Sequence, residues 1–213
     1  MQPKHKNMGS FSTYKTLEKA QTHFNIAAVL QAIFSIDKQA PIIPSAYLVE
    51  ELAFNMTETP YKTSEAAICE AIIFPIIKEV WKSFTADLQL WSHKSLSQTA
   101  KKSGIPDYII AKRSALGNSV LDLPMLVMIE AKKDDFDEGW GQCLAQMYFA
   151  QQLSKGQYTV YGVVSNGDVW EFGYLSQNTL TRNDFSITIK DLQGIFNILY
   201  QIFSACQQQI RTQ

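Results

Sequence analysis

The segment Met125-Leu-Val-Met-Ile-Glu-Ala-Lys132 decides how the chain is read. Its first five residues are apolar without interruption, which predicts a strand buried on both faces inside a sheet. Side chains alternate along a strand, so Glu130 and Lys132 share one face while Val127, Ile129 and Ala131 point to the other. A buried strand thus acquires two opposite charges near its end. Burying a charge is costly without a partner, a bound ion or a chemical task.

Upstream, Gly104-Ile-Pro-Asp-Tyr-Ile-Ile110 supplies the preceding strand, expected over Asp107–Ala111. Sequential strands usually pair, and a hairpin of these two brings Asp107 beside Glu130. Leu88–Ser92 alternates as a further strand. Ser64 is placed to cap a helix running to about Phe84, with Ile68, Ile72, Ile73, Ile76, Ile77 and Val80 inward and Pro75 kinking or dividing it. Nearer the N-terminus, the period of Leu17, Phe24, Ala27, Ala28, Leu30, Ile33 and Phe34 predicts a helix from Thr13 to about Ile36, ended by Pro41 and Pro44. Ser45–Met56 reads as a second helix with Leu48, Leu52 and Ala53 inward, and residues 1–10 are expected to fray.

Downstream, Gly139–Leu153 reads as a helix, Tyr158–Val164 as a strand, Asn166-Gly167 as a hairpin turn and Val169–Phe172 as the returning strand. A short strand near Ile187 and a helix from Leu192 to Gln209 end the chain. From residue 64 the order is helix, three strands, helix, two strands. That is a mixed α/β domain over 61–213, preceded by a helical extension over 1–60.

Composition bounds the function classes. A chain of 213 residues, 46% apolar and 18% charged, fits one globular domain with a well-buried core. Lys plus Arg is 19 against 20 Asp plus Glu, so no overall basic excess advertises nucleic acid. Cys69, Cys143 and Cys206 form no CxxC pair and are expected as small buried hydrophobes. No apolar run reaches the ~20 residues that span a bilayer, and the polar N-terminus lacks a secretory pattern, so a cytoplasmic protein without membrane contact is expected.

The chemistry centres on Asp107, Glu130 and Lys132. Two carboxylates and a free backbone carbonyl, that of Ala131, make an oxygen-rich site for a hard cation, Mg²⁺ or Mn²⁺. Lys132, at the strand end facing a polar cleft, either helps to deprotonate an attacking water or holds phosphoryl charge. Its removal is expected to leave no core cavity. Lys101, Lys102, Lys112, Arg113, Lys132 and Lys133 are expected to form a local basic zone around the motif strands. The acidic run Asp134, Asp135, Asp137 and Glu138 suits a helix start. Trp140 is expected to be packed, and His5, His23 and His93 make no ligand spacing.

Pro106-Asp107 followed by Glu130-Ala131-Lys132 resembles the two motifs of the PD-(D/E)XK nuclease superfamily. The resemblance covers roughly residues 64–175. With Ser64-Glu-Ala-Ala-Ile-Cys-Glu-Ala-Ile-Ile-Phe-Pro75 it looks most like the nuclease domain of type I restriction motor subunits and their free-standing relatives. It implies a restriction-endonuclease-like core, a Mg²⁺- or Mn²⁺-dependent hydrolysis of DNA by an endonuclease, and metal ligation by Asp107, Glu130 and the Ala131 carbonyl. It also implies a Glu on the first core helix completing the site. Glu70, in line with Ile73 and Ile77, is preferred over Glu65. A Gln on the helix after the Lys is implied too; Gln142 is the first choice, with Gln146 four residues on, where some relatives carry Tyr. A homo-oligomer or a partner subunit would supply DNA recognition. Two other readings stand beside this one: a non-catalytic module binding nucleic acid or protein, and a different enzyme in which Glu130 and Lys132 are only a buried ion pair.

Overall fold

The computed structural model of the protein describes residues 10–99 and 102–212. Lys101 and most of the N-terminal stretch expected to fray, His5 included, lie outside that range. In chain order the elements are α1 (Leu17–Phe24), β1 (Ala27–Gln31), α2 (Ala46–Glu58), α3 (Glu65–Ile68), α4 (Phe74–Trp81), β2 (Leu88–Ser92), β3 (Leu96–Thr99), β4 (Lys102–Gly104) and β5 (Tyr108–Lys112). They continue with β6 (Met125–Ala131), α5 (Phe136–Leu153), β7 (Val160–Ser165), β8 (Val169–Ser176), β9 (Thr179–Asn183), β10 (Ile187–Thr188) and α6 (Leu192–Arg211).

The protein is mixed α/β. Its main sheet runs β1-β9-β8-β7-β6-β5-β2, with β10 attached to β8. β6 pairs parallel with β7 and antiparallel with β5, and every one of its residues is buried. The parallel step needs a crossover, and α5 provides it. One face of the sheet packs under α2, α4 and α6 through Leu48, Ile76, Ile77, Phe196 and Phe203. The other packs under α1 and α5 through Leu17, Phe24, Trp140 and Leu144. Strand alternation divides β6 between the two cores: Val127 and Ile129 join the first, Met128 the second.

Several sequence expectations are corrected. The helix predicted over Thr13–Ile36 stops at Phe24, where Asn25 turns left-handed at φ 57°. The residues after it form β1, which pairs parallel with β9 at the sheet edge. The first sixty residues are therefore not helical throughout, and part of them completes the sheet. β9 and the small β3–β4 hairpin were not foreseen. Both depend on pairings with distant or turn-separated partners, which local periodicity does not report. α5 begins a turn earlier than Gly139, because Asp135 accepts from the Glu138 N–H at 2.9 Å and caps it there.

The helix expected from Ser64 is capped as predicted, the Ser64 hydroxyl accepting from Ala67 N–H at 3.1 Å. Between α3 and α4 it passes through a π turn, Cys69–Ile73. Pro75 lacks the N–H that would bond to the Ala71 carbonyl. The Asn55 amide of α2 donates to that carbonyl instead, at 2.9 Å. Pro75 is thus absorbed without breaking the rod.

Candidate functional site

Antiparallel pairing puts the start of β5 next to the end of β6, and the end of β2 next to the start of β5 (Ser92 opposite Tyr108). Residues far apart in sequence, His93, Asp107 and Glu130–Lys132, therefore gather at one end of the sheet. α3 delivers Glu65 and α5 delivers Gln146 to the same place.

Asp107 accepts a hydrogen bond from Ala131 N–H at 2.7 Å, which fixes its carboxylate against the end of β6. The N–H and C=O of one strand residue point towards the same neighbouring strand, so the Ala131 carbonyl is directed to the Asp107 side. Lys132 is held by its own N–H on Ser165 O at 2.9 Å. Its Nζ lies 3.2 Å from Glu130 Oε1 and 3.5 Å from Glu65 Oε1. The second Glu130 oxygen accepts from Gln146 Nε2 at 2.7 Å. Gln146 is buried, and its own Oε1 finds no partner among the described residues.

Three carboxylates, those of Asp107, Glu130 and Glu65, thus face one ammonium. The imbalance is visible in their proton affinities. Burial first, and the Asp107 charge second, push the Glu130 carboxyl up to about 7, and Lys132 and Gln146 do not offset them. Burial also raises Asp107, against the pull of the Ala131 N–H. Burial lowers Lys132, but Glu130, Glu65 and Asp107 outweigh it and keep the ammonium above its usual value. An oxygen-only donor set with excess negative charge and a buried acceptor left open fits a hard divalent cation. Beside it opens a cleft of about 350 Å³ lined by Phe11, Ile105, Glu130, Gln142 and Gln146.

The predicted residues are brought together in part. Asp107, Glu130 and Lys132 converge. Glu65 reaches the site, whereas the preferred Glu70 is exposed. The π turn inserts a residue into the helical period, so Glu70 does not follow Ile73 and Ile77 inward. Gln146, not Gln142, reaches Glu130; Gln142 lines the cleft and donates to Glu138 Oε1 at 2.6 Å. Lys132 is itself buried, with its stem against Gly139, so its truncation does open a gap. Of the expected basic zone, the Lys101 and Lys102 side chains lie outside the described residues, and Lys112 and Arg113 lie away from the site. Lys112 is opposite Leu88, and Arg113 bonds to Thr85 O and Asn118, at the far end of β5 from Asp107. The acidic run serves α5: Asp135 caps it, Asp137 accepts from Leu17 N–H, and Glu138 pairs with Lys15 at 2.6 Å. Trp140 is buried and donates to Glu171 at 2.6 Å.

His93 was missed. Its N–H donates to Asp107 O at 2.8 Å and its Nε2 lies 3.6 Å from Asp107 Oδ1. The signal was the strand pairing: His93 follows β2, and β2 ends opposite the residue after Asp107. No family model matches the chain, and no curated protein matches it.

Proposed function

We propose that the protein is a Mg²⁺- or Mn²⁺-dependent nuclease, acting on DNA as an endonuclease, on a restriction-endonuclease-like core of the PD-(D/E)XK type. The observation that carries this reading is the convergence of Asp107, Glu130 and Lys132 on one end of the sheet, with Glu130 raised to about 7 by burial and a like charge. Asp107, Glu130 and the Ala131 carbonyl would hold the cation, with Glu65 at the margin. When bound, the cation supplies Lewis-acid stabilisation of phosphoryl charge.

The chain's own residues divide the remaining work. Lys132, kept as an ammonium by its carboxylate neighbours, donates to a phosphate oxygen and stabilises charge that grows in the transition state. Gln146 orients Glu130. The cleft beside Gln142 receives the substrate backbone. Lys112 and Arg113 lie at the other end of β5, so a second copy or a partner subunit supplies further DNA contacts. A cytoplasmic setting suits the three free, buried thiols.

A specific observation also favours the ion-pair reading: Glu130 is already bonded on both oxygens, by Lys132 and Gln146. One experiment separates the two. Plasmid, linear, branched and single-stranded DNA are incubated with the protein and Mg²⁺ or Mn²⁺, with Lys132→Ala and a chelator as controls. Cation-dependent cutting that both controls abolish supports the nuclease. A protein that cuts none of these and whose stability ignores the cation is a structural ion pair or a binding module.

A further inference from the structure

Next to the oxygen-rich donors lies a second set of different chemistry. Cys69 Sγ, a His93 ring nitrogen and an Asp107 carboxylate oxygen all lie within 4.8 Å of one another. They come from the π turn, the end of β2 and the start of β5. We propose that Cys69, His93 and Asp107 form a binding site for a thiophilic divalent cation such as Zn²⁺, and that filling it withdraws Asp107 from the hard-cation site.

Four features carry the assignment. First, one pair of the three already has the spacing of ligands on one ion. Bonds of about 2.0–2.3 Å to a tetrahedral Zn²⁺ place neighbouring ligand atoms roughly 3.3–3.7 Å apart. His93 Nε2 and Asp107 Oδ1 stand 3.6 Å apart, too far for a hydrogen bond and right for a bridging ion. Second, the imidazole is oriented. Its Nδ1 bonds to Ser92 Oγ at 2.8 Å, and with Nδ1 as donor the Nε2 lone pair is turned to the site. The left-handed backbone of His93, φ 47°, is held by its N–H on Asp107 O.

Third, the donor types fit such an ion. Thiolate, imidazole and carboxylate together select a borderline or soft ion over Mg²⁺. Fourth, there is an entry path: His93 is half exposed, although Cys69 is fully buried. On binding, the Cys69 thiol would give its proton to solvent.

The two sites share Asp107 and compete for it. Its Oδ2 is engaged by Ala131 N–H, and Oδ1 faces His93. Zn²⁺ should therefore inhibit Mg²⁺-dependent cleavage; this clause rests on the nuclease reading, and the binding claim does not.

The test uses the full chain and Co²⁺ as a spectroscopic probe, without DNA. A thiolate-to-cobalt charge-transfer band should grow to saturation, and Zn²⁺ should bleach it. Cys69→Ser should lose the band. Because a buried substitution can disturb folding, His93→Gln, at a half-exposed position, provides the second arm. It should stay folded and weaken Co²⁺ by at least about tenfold. Absence of the band, or a band unchanged in His93→Gln, overturns the proposal, the latter by assigning it to another thiol. A band in a protein that cuts no DNA keeps this site and removes the nuclease reading. Cleavage in Mg²⁺ with no band does the reverse.

Discussion

Two carboxylates at opposite ends of the β2–β5 ribbon have nearly the same partners and opposite behaviour. Asp87, just before β2, accepts from Arg211 and from the Gln207 amide, each at 2.6 Å. Glu130 meets Lys132 at 3.2 Å and the Gln146 amide at 2.7 Å. Each thus has one cation and one glutamine. Burial is the largest single influence on Asp87 and raises it, but the hydrogen bonds from Arg211 and Gln207 and the Arg211 charge together outweigh it, so its carboxyl is lowered. Glu130 is driven up to about 7. The differences are exposure, 22% of the side chain against 6%, and the presence of Asp107. At Asp87 the charge count closes and the cluster ties α6 to the sheet. At Glu130 the count stays open by negative charge, which on the proposed reading a bound cation would close.

The largest effect that could break this contrast belongs to Lys132. Lys132→Met keeps the buried stem against Gly139 and removes only the ammonium. Cleavage should fall by about 10²–10³-fold or more, the usual loss when a group aimed at transition-state charge is removed. Lys132→Ala should lose the same activity. Both variants should also lose stability, by about 3 kcal/mol, because each strands a buried carboxylate, and Lys132→Ala should lose more, through the gap it opens beside Gly139. Steady-state cleavage and chemical denaturation of both variants check this. A Met variant that cuts DNA as well as wild type would remove Lys132 from the chemistry.

The next effect is a pH dependence of opposite sign at the two ends. Glu130 in the folded protein is raised to about 7 from an ordinary 4.5, so its contribution is fully present below about 4.5 and is lost as pH rises through 7. In a chelator, this group alone should cost about 2–3 kcal/mol between those limits. Glu130→Gln should flatten that stretch of the stability curve and leave the variant more stable than wild type at pH 8. Asp87 is lowered, so its contribution is present above about 3.8 and is lost only as pH falls below that value. Denaturant midpoints measured from pH 2 to 8 resolve both. A Glu130→Gln curve parallel to wild type would place Glu130 with Asp87 as an ordinary structural charge.

How much of this was legible in the sequence follows the same division between local and distant causes. β6 was readable because an apolar run ending in Glu-Ala-Lys is a local pattern, and its pairing with β5 followed from adjacency. The Ser64 cap and the packed Trp140 were readable for similar reasons. The choice of Glu70 over Glu65 failed because a π turn changes the helical phase, and no residue type announces such a turn. The choice between Gln142 and Gln146 turned on one helical turn of depth along α5. β1 and His93 were invisible for another reason: each takes its role from a strand partner more than a dozen residues away.

A smaller effect sharpens the contrast directly. Millimolar Mg²⁺ or Mn²⁺ should raise the thermal midpoint at pH 8, with a shift that grows with concentration. At ten times the dissociation constant the gain is about 1.4 kcal/mol, or roughly 3–6 °C for a chain of this size. The response should shrink at pH 5, where Glu130 is protonated, and vanish in Asp107→Ala. Scanning calorimetry over a cation series measures it. A wild type that ignores both cations at pH 8 would mean that the open charge count is closed in some other way.

The smallest effect lies at the closed end. Asp87→Asn removes the charge that Arg211 and Gln207 share, and Arg211→Ala removes the cation. The pair is partly exposed, with 60% of the Arg211 side chain in solvent, so screening leaves only about 0.2–1 kcal/mol to lose. Both variants should therefore be slightly destabilised at pH 7, respond to Mg²⁺ like wild type and cut DNA like wild type. The sign carries the argument more than the size. Neutralising Asp87 should destabilise the protein, whereas neutralising Glu130 in a chelator should stabilise it, although each carboxylate has a cation and a glutamine beside it. A stabilising Asp87→Asn would show that partner identity, and not burial with a second carboxylate, sets the sign at both ends of the ribbon.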